Sequence, residues 1–308
     1  MGEVNYGKYM VKKPLRKESL GARNVKELTY MSNELVPGVN NHVTLNWFYG
    51  MPEPNPCSYE HVHDYDQIII FWSTDPDEPQ VLGGEIEFYV GGQAVTFNTT
   101  TGLYIPKGLR HGPVTWKEFT RPHVQTVITV GTGSTEEVYE KSGLREPKDE
   151  LPRKTDKIDY EKYVVRSPFY EDAPRVKNRQ APTMTYMSRS HIPEANYYFE
   201  FGWLYGMPEP NPHIFEHLHH FDEIVFHLGG DPADPEDLGG KIEIFVAGKP
   251  ILMDASCVFF LPKGIKHGPN TWKEFRKPHI EGAIMLGAGT FAEGWGANID
   301  HLQRPEEK

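Results

Sequence analysis

The 308-residue chain has only two cysteines, Cys57 and Cys257, one in each half. No disulfide framework and no paired-cysteine metal site can be assembled from them. It contains no run of about 18 apolar residues, the length a membrane helix needs. The opening MGEVNYGKYMVKKPLRK also has no apolar core of signal-peptide length. These absences lead to the expectation of a soluble, cytoplasmic protein with no membrane partner. Basic charge is in deficit: 32 Lys and Arg against 43 Asp and Glu give a formal net charge of −11. That balance, with no helix-turn-helix pattern, argues against a nucleic-acid partner. What remains is 38% hydrophobic and 12% aromatic, enough to build a core.

Self-similarity is abundant. Trp47 to Pro56 reads WFYGMPEPNP and Trp203 to Pro212 reads WLYGMPEPNP, an offset of 156 residues. The same offset relates Glu60 to Glu216, His61 to His217, His63 to His219, Asp66 to Asp222, Pro106 to Pro262, His111 to His267 and His123 to His279. It reaches back to Thr29 and Thr185, and the openings KYMVKKP and KYVVRSP match at nearly the same spacing. A period this long exceeds solenoid repeats, so each copy is expected to be a domain with its own core. The charged connection between the copies places the boundary near residue 154, giving domains 1–154 and 155–308. A short helix is expected within Thr135 to Ser142.

Each copy carries short β-branched and aromatic runs: QIIIFW, EIEFYV, LYIP and VQTVITV in the first, EIVFHL, KIEIFV, VFFLP and IEGAIML in the second. Gly, Pro, Asn and Asp separate them, as strands require. Val90-Gly91-Gly92-Gln93 and Val246-Ala247-Gly248-Lys249 read as hairpin turns. Many short strands without amphipathic helices predict an all-β chain of two tandem antiparallel barrels.

The histidines fall in a metal-binding pattern. On a β-strand, His217, His219, Phe221 and Glu223 share a face, and Leu261-Pro262-Lys263-Gly264-Ile265-Lys266-His267 ends a strand in a turn that presents another histidine. Imidazoles with one carboxylate suit Mn, Fe, Co, Ni or Zn and leave positions open for water or substrate. His213 and His227 occur only in the second copy. His227 lies about 13 Å along the strand from Glu223, too far to ligate, and reads as a pocket or interface residue. Asp66 and Asp222 are out of phase with the histidines, and a surface turn or an intersubunit role is expected for them rather than catalysis.

In these motifs both halves resemble cupin domains, and the chain is similar to the bicupins. The first cupin motif, two histidines one residue apart followed by a glutamate, matches His217, His219 and Glu223. The second, Pro-x-Gly-x-x-His, matches Pro262, Gly264 and His267. The resemblance covers roughly residues 47 to 130 and 203 to 286. It implies jelly-roll barrels in which those four side chains hold a divalent first-row transition metal. It departs at Asn55 and Asn211, where the first motif usually opens with glycine. In the first copy His61, His63 and His111 are present, but the glutamate position is Gln67. A neutral glutamine offsets none of a cation's charge, so this second set is expected to bind more weakly.

Gln125 likewise aligns with Glu281, so the first copy lacks both carboxylates. The active centre is therefore expected in the second barrel, with Glu281 and His279 as candidates for proton transfer or for orienting the metal's ligands. His279 and His123 also sit in a repeated block that alternatively packs around Trp272 and Trp116. The resemblance implies a metal-dependent enzyme acting on a small polar or carboxylated metabolite, with dioxygenases, decarboxylases, isomerases and lyases all represented among cupins. The alternative is a binding or sensing bicupin with a structural metal. By the same analogy, a homo-oligomer is expected.

Overall fold

The computed structural model describes residues 5–16, 21–142, 144, 159–168, 176–181 and 183–295. The boundary expected at residue 154 lies outside the described residues. By contacts the chain forms two units, Lys13–Ser167 and a second made of Pro168–Lys308 joined by the residues up to Lys12. The opening of the first copy thus belongs to the second unit. The reason is that Met10–Val11 pairs antiparallel with Cys257–Leu261, Met10 opposite Phe259.

Each unit is a sandwich of a large and a small antiparallel sheet. In the N-terminal unit the large sheet runs in the order Val164–Val165, Thr101–Ile105, Asp66–Ser73, His123–Val130, Asn41–Glu53, Arg23–Met31, Leu15–Arg16. The small sheet runs Gln93–Thr99, Val81–Val90, His111–Phe119. The C-terminal unit repeats this with Met10–Val11, Cys257–Leu261, Asp222–Gly229, His279–Leu286 and Tyr197–Glu209 in its large sheet, and Lys249–Met253, Gly240–Val246, His267–Phe275 in its small one. Val81–Val90 alternates buried and half-buried residues along most of its length, the pattern of a sheet with one face on the core. Asp66–Ser73 and Asp222–Gly229 are buried almost throughout, so both faces of these strands are covered.

Both expected hairpins form. Val90 pairs with Gln93 and Val246 with Lys249. Their central residues all have positive φ, 60° and 83° at Gly91 and Gly92 and 49° and 76° at Ala247 and Gly248, the requirement of a tight turn that matches strand twist. Gly91 is needed for a second reason: a Cβ there would overlap the Tyr160 ring. The short helix expected near 135–142 is present as Glu137–Lys141, and its counterpart in the C-terminal unit is Phe291–Trp295.

The offset between copies is not constant. Asn24 and Asn178, both at positive φ (65° and 61°), donate from Nδ2 to the carbonyls of Met51 and Met207 at 2.9 and 2.7 Å. They are equivalent at a separation of 154, not 156. The two extra residues follow Asn178. Where the N-terminal unit has one long strand, Arg23–Met31, the C-terminal unit has two, Lys177–Arg179 and Met184–Met187, with a break between. By strand register the counterpart of Arg179 is then Val25, since they face Leu204 and Phe48 respectively.

Candidate metal centre

His217 and His219 precede the strand Asp222–Gly229 rather than lying on it. The expectation of one continuous strand from His217 to Glu223 is corrected. The chain instead places His217 by an isolated bridge to His267, with reciprocal backbone hydrogen bonds of 2.9 Å. That close crossing needs Gly268, at φ 84°, where a Cβ would overlap the Phe215 carbonyl. Asp222 fixes the turn that presents His267 by accepting from the Lys263 amide at 2.8 Å, and Asp66 does the same for Lys107 at 2.9 Å.

Convergence is achieved despite the altered local structure. One ligand atom from each of His217, His219, Glu223 and His267 falls within 4.8 Å of the others. His217 and His267 engage Nδ1 with the carbonyls of Phe215 and Ile265 at 2.7 and 2.9 Å, and all three Nε2 atoms are buried with no hydrogen-bond partner outside the quartet. With Nδ1–H donating, Nε2 carries the lone pair. The His267 Nε2 lies 3.0 Å from Glu223 Oε2, with His219 Nε2 3.8 Å away. Two lone pairs at that separation repel unless a proton or a metal cation lies between them. Burial lowers the His267 pKa, but the hydrogen bond and charge of Glu223 outweigh it and the net shift is upward. Burial raises Glu223, and the His267 bond with the three imidazoles reverses this to a net lowering. The donor set, three imidazoles and one carboxylate, therefore fits a divalent first-row ion.

In the N-terminal unit His61, His63 and His111 converge equally closely. Their Nδ1 atoms engage the carbonyls of Tyr59, Tyr65 and Leu109 at 2.9, 2.8 and 2.9 Å. Gln67, buried, lies against His63. Burial takes His63 down to about 4; the bonds with Tyr65 and Gln67 and the charge of Asp66 oppose that shift but do not reverse it, whereas Glu223 does so for His267.

Above each set lies a cavity. That of the C-terminal unit is lined by the quartet members His217, Glu223 and His267, by Arg179, Glu200, His213, Asn270 and Glu281, and by an apolar wall that includes Phe291 and Trp295. Trp295 stands 5.1 Å from the His217 ring, centroid to centroid. Glu281 Oε2 accepts from Arg179 Nε and lies beside His213 Nε2, both at 3.0 Å. Burial would raise its pKa, but His213 and Arg179 hold it far below the usual carboxylate range. Glu200 shifts the other way: burial raises it despite Arg179.

No family model and no curated protein matches the chain. Solved structures do. AerE from Microcystis aeruginosa aligns over 91% of this chain and 99% of its own at 12% identity and TM-score 0.53. An oxalate decarboxylase of Bacillus subtilis aligns over 94% of this chain and 80% of its own at 11% identity and TM-score 0.57. The fold is that of a bicupin.

Within this bicupin frame Glu281 and His279 have different surroundings. Glu281 lines the cavity. His279 does not: its Nε2 accepts from Trp272 Nε1 at 3.0 Å and its Nδ1 engages the Lys277 carbonyl at 3.0 Å, so neither nitrogen is left for a substrate. His123 is held the same way by Trp116 and Arg121. Asn55 and Asn211, at the bicupin motif's glycine position, each clamp the backbone of the tryptophan strand. Asn55 bonds the Trp116 carbonyl and amide at 2.7 and 3.0 Å, and Asn211 bonds those of Trp272 at 2.8 and 2.9 Å. Sequence reasoning missed Arg179, Glu200, Asn270 and Trp295. Glu200 had a signal, an acid inside the aromatic run YYFEFGW. Arg179 had none, because the uniform offset pairs it with the exposed Arg23.

Proposed function

We propose that this bicupin is a metal-dependent enzyme, of dioxygenase or decarboxylase type, acting on a small polar or carboxylated metabolite in its C-terminal barrel. The observation that carries this reading is the convergence on Glu223 of three buried Nε2 atoms that have no partner outside the quartet. A divalent ion held by His217, His219, Glu223 and His267 would supply Lewis acidity toward a substrate oxygen, or an O₂-binding site if it is redox-active. The chain's own groups do the rest. The backbone carbonyls behind His217 and His267 fix the ring tautomers. Phe291 and Trp295 form an apolar wall that limits water. Glu281 stays ionised and suits proton acceptance or hydrogen bonding, while Glu200, pushed toward its neutral form, is the carboxyl suited to give a proton. His279 acts only through Trp272.

In the N-terminal barrel His61, His63, His111 and Gln67 form the weaker site, serving ligand or metal binding rather than turnover. The oxalate decarboxylase relatives by fold support, but do not choose, the decarboxylase branch. We further propose that the protein works in the cytoplasm as a homo-oligomer. Among the described residues no helix is long and apolar enough to cross a membrane.

Elemental analysis of protein purified without chelator tests this. Close to one tightly held first-row divalent ion per chain is expected, with a second, weaker one possible. Iron directs attention to oxygenation and manganese to decarboxylation. Absence of any ion, even after incubation with Mn²⁺, Fe²⁺ and Zn²⁺, overturns the reading.

A further inference from the structure

Beyond the metal quartet, the C-terminal cavity contains a cluster of buried polar groups whose hydrogen-bonding capacity is only half engaged. His213, Asn270 and Glu281 are 3%, 4% and 4% exposed, and the Arg179 side chain is 10% exposed. Glu281 engages both Arg179 and His213 through the same oxygen, Oε2, which leaves Oε1 with no partner. Asn270 Oδ1 and His213 Nδ1 are likewise buried and unpartnered. Groups of this kind are satisfied in native proteins by ligand or ordered water.

We propose that Arg179, His213, Asn270 and Glu281 form a hydroxyl-recognising subsite, and that the metabolite taken by this cavity is polyhydroxylated. The proposal rests on the reading of the C-terminal barrel as the active one and deepens it by naming the substrate class. Charge decides between the possible ligand groups. A carboxylate at this end has no proton to give Glu281 Oε1 and sets its charge against that of Glu281. An ammonium group meets the Arg179 guanidinium. A hydroxyl satisfies both neighbours at once, donating to the carboxylate and accepting from the guanidinium N–H groups. Trp295 and Phe291 on the apolar wall offer flat surfaces for the C–H faces between successive hydroxyls.

The other barrel differs at the corresponding positions. At the positions of His213, Asn270 and Glu281 its cavity is lined by Cys57, Val114 and Gln125, and Gln125 Oε1 is occupied by Asn46 Nδ2 at 2.9 Å. Two of these three residues offer a hydroxyl no useful partner. The third is already engaged.

The test compares two acids of equal chain length, D-gluconate and hexanoate, which differ in their hydroxyls. Binding is measured by calorimetry and tryptophan fluorescence on the full chain, with metal content determined in parallel. D-gluconate is expected to bind at least tenfold more tightly than hexanoate. Glu281→Gln, which installs the residue of the other barrel, is expected to remove most of that preference with metal content unchanged. Asn270→Val, a milder change that likewise installs the other barrel's residue, is expected to reduce it about threefold and covers the case in which Glu281→Gln does not fold. Equal binding of the two acids, binding of neither, or a preference that survives both substitutions overturns the subsite. Gluconate preference in a chain that takes up no metal overturns the metal reading instead and leaves the subsite standing.

Discussion

At the scale of single residues, the difference between the two histidine clusters comes down to Glu223 against Gln67. Only the first offsets part of a cation's charge. His219→Ala is therefore expected to reduce the tightly held metal at least tenfold, whereas His63→Ala changes total metal by much less. Equal losses in elemental analysis would show the two sites to be alike. A second consequence concerns His123, whose pKa burial lowers from 6.5 to about 4. Protonating it would replace the lone pair that accepts from Trp116 Nε1 with a second donor. The unfolded chain takes up that proton below about pH 6.5 and the folded chain does not, so this histidine makes the protein lose stability as pH falls from about 6.5 to about 4. His123→Gln removes the titration while keeping an acceptor. The variant is expected to lose about 2 kcal/mol less than the parent over that interval, read as a shallower dependence of Tm on pH.

At the scale of elements, strands were legible because short β-branched and aromatic runs bounded by Gly, Pro, Asn and Asp are a local signal. The hairpins were legible because positive φ demands glycine or its few substitutes. Ala247 is one such substitute and carries strain that Gly91 does not. Ala247→Gly is expected to stabilise the protein by about 0.5–1 kcal/mol, and Gly91→Ala to destabilise it by more than about 2 kcal/mol because its Cβ meets Tyr160. Thermal melts of the two variants should move in opposite directions. The ligand positions were legible from spacing, but their secondary structure was not. His217 is placed by a bridge to a residue 50 positions away, and such a contact leaves no local periodicity. Arg179 was hidden by the two extra residues that follow Asn178. The Phe291–Trp295 helix, five residues long, is too short for a helical pattern to register.

At the scale of the whole molecule, duplication was plain from sequence but the assignment of segments to units was not. The short strand Val164–Val165 covers the edge of Thr101–Ile105, and Met10–Val11 covers that of Cys257–Leu261. An uncovered strand edge leaves backbone groups unpaired. Met10→Asp is expected to leave the N-terminal barrel unaffected and to loosen the Cys257–Leu261 strand, raising its amide hydrogen-exchange rates about tenfold or more. Faster exchange confined instead to Asp66–Ser73 or Thr101–Ile105 would contradict this assignment. The same feature bears on synthesis. A ribosome finishes the N-terminal barrel once residue 167 has been made, with every strand in hand. The strand Met10–Val11, made before that barrel, waits through 249 further residues for its partner Phe259, roughly 12–50 s at ordinary translation speed. A segment translated ahead of one barrel is thus settled only after that barrel is complete.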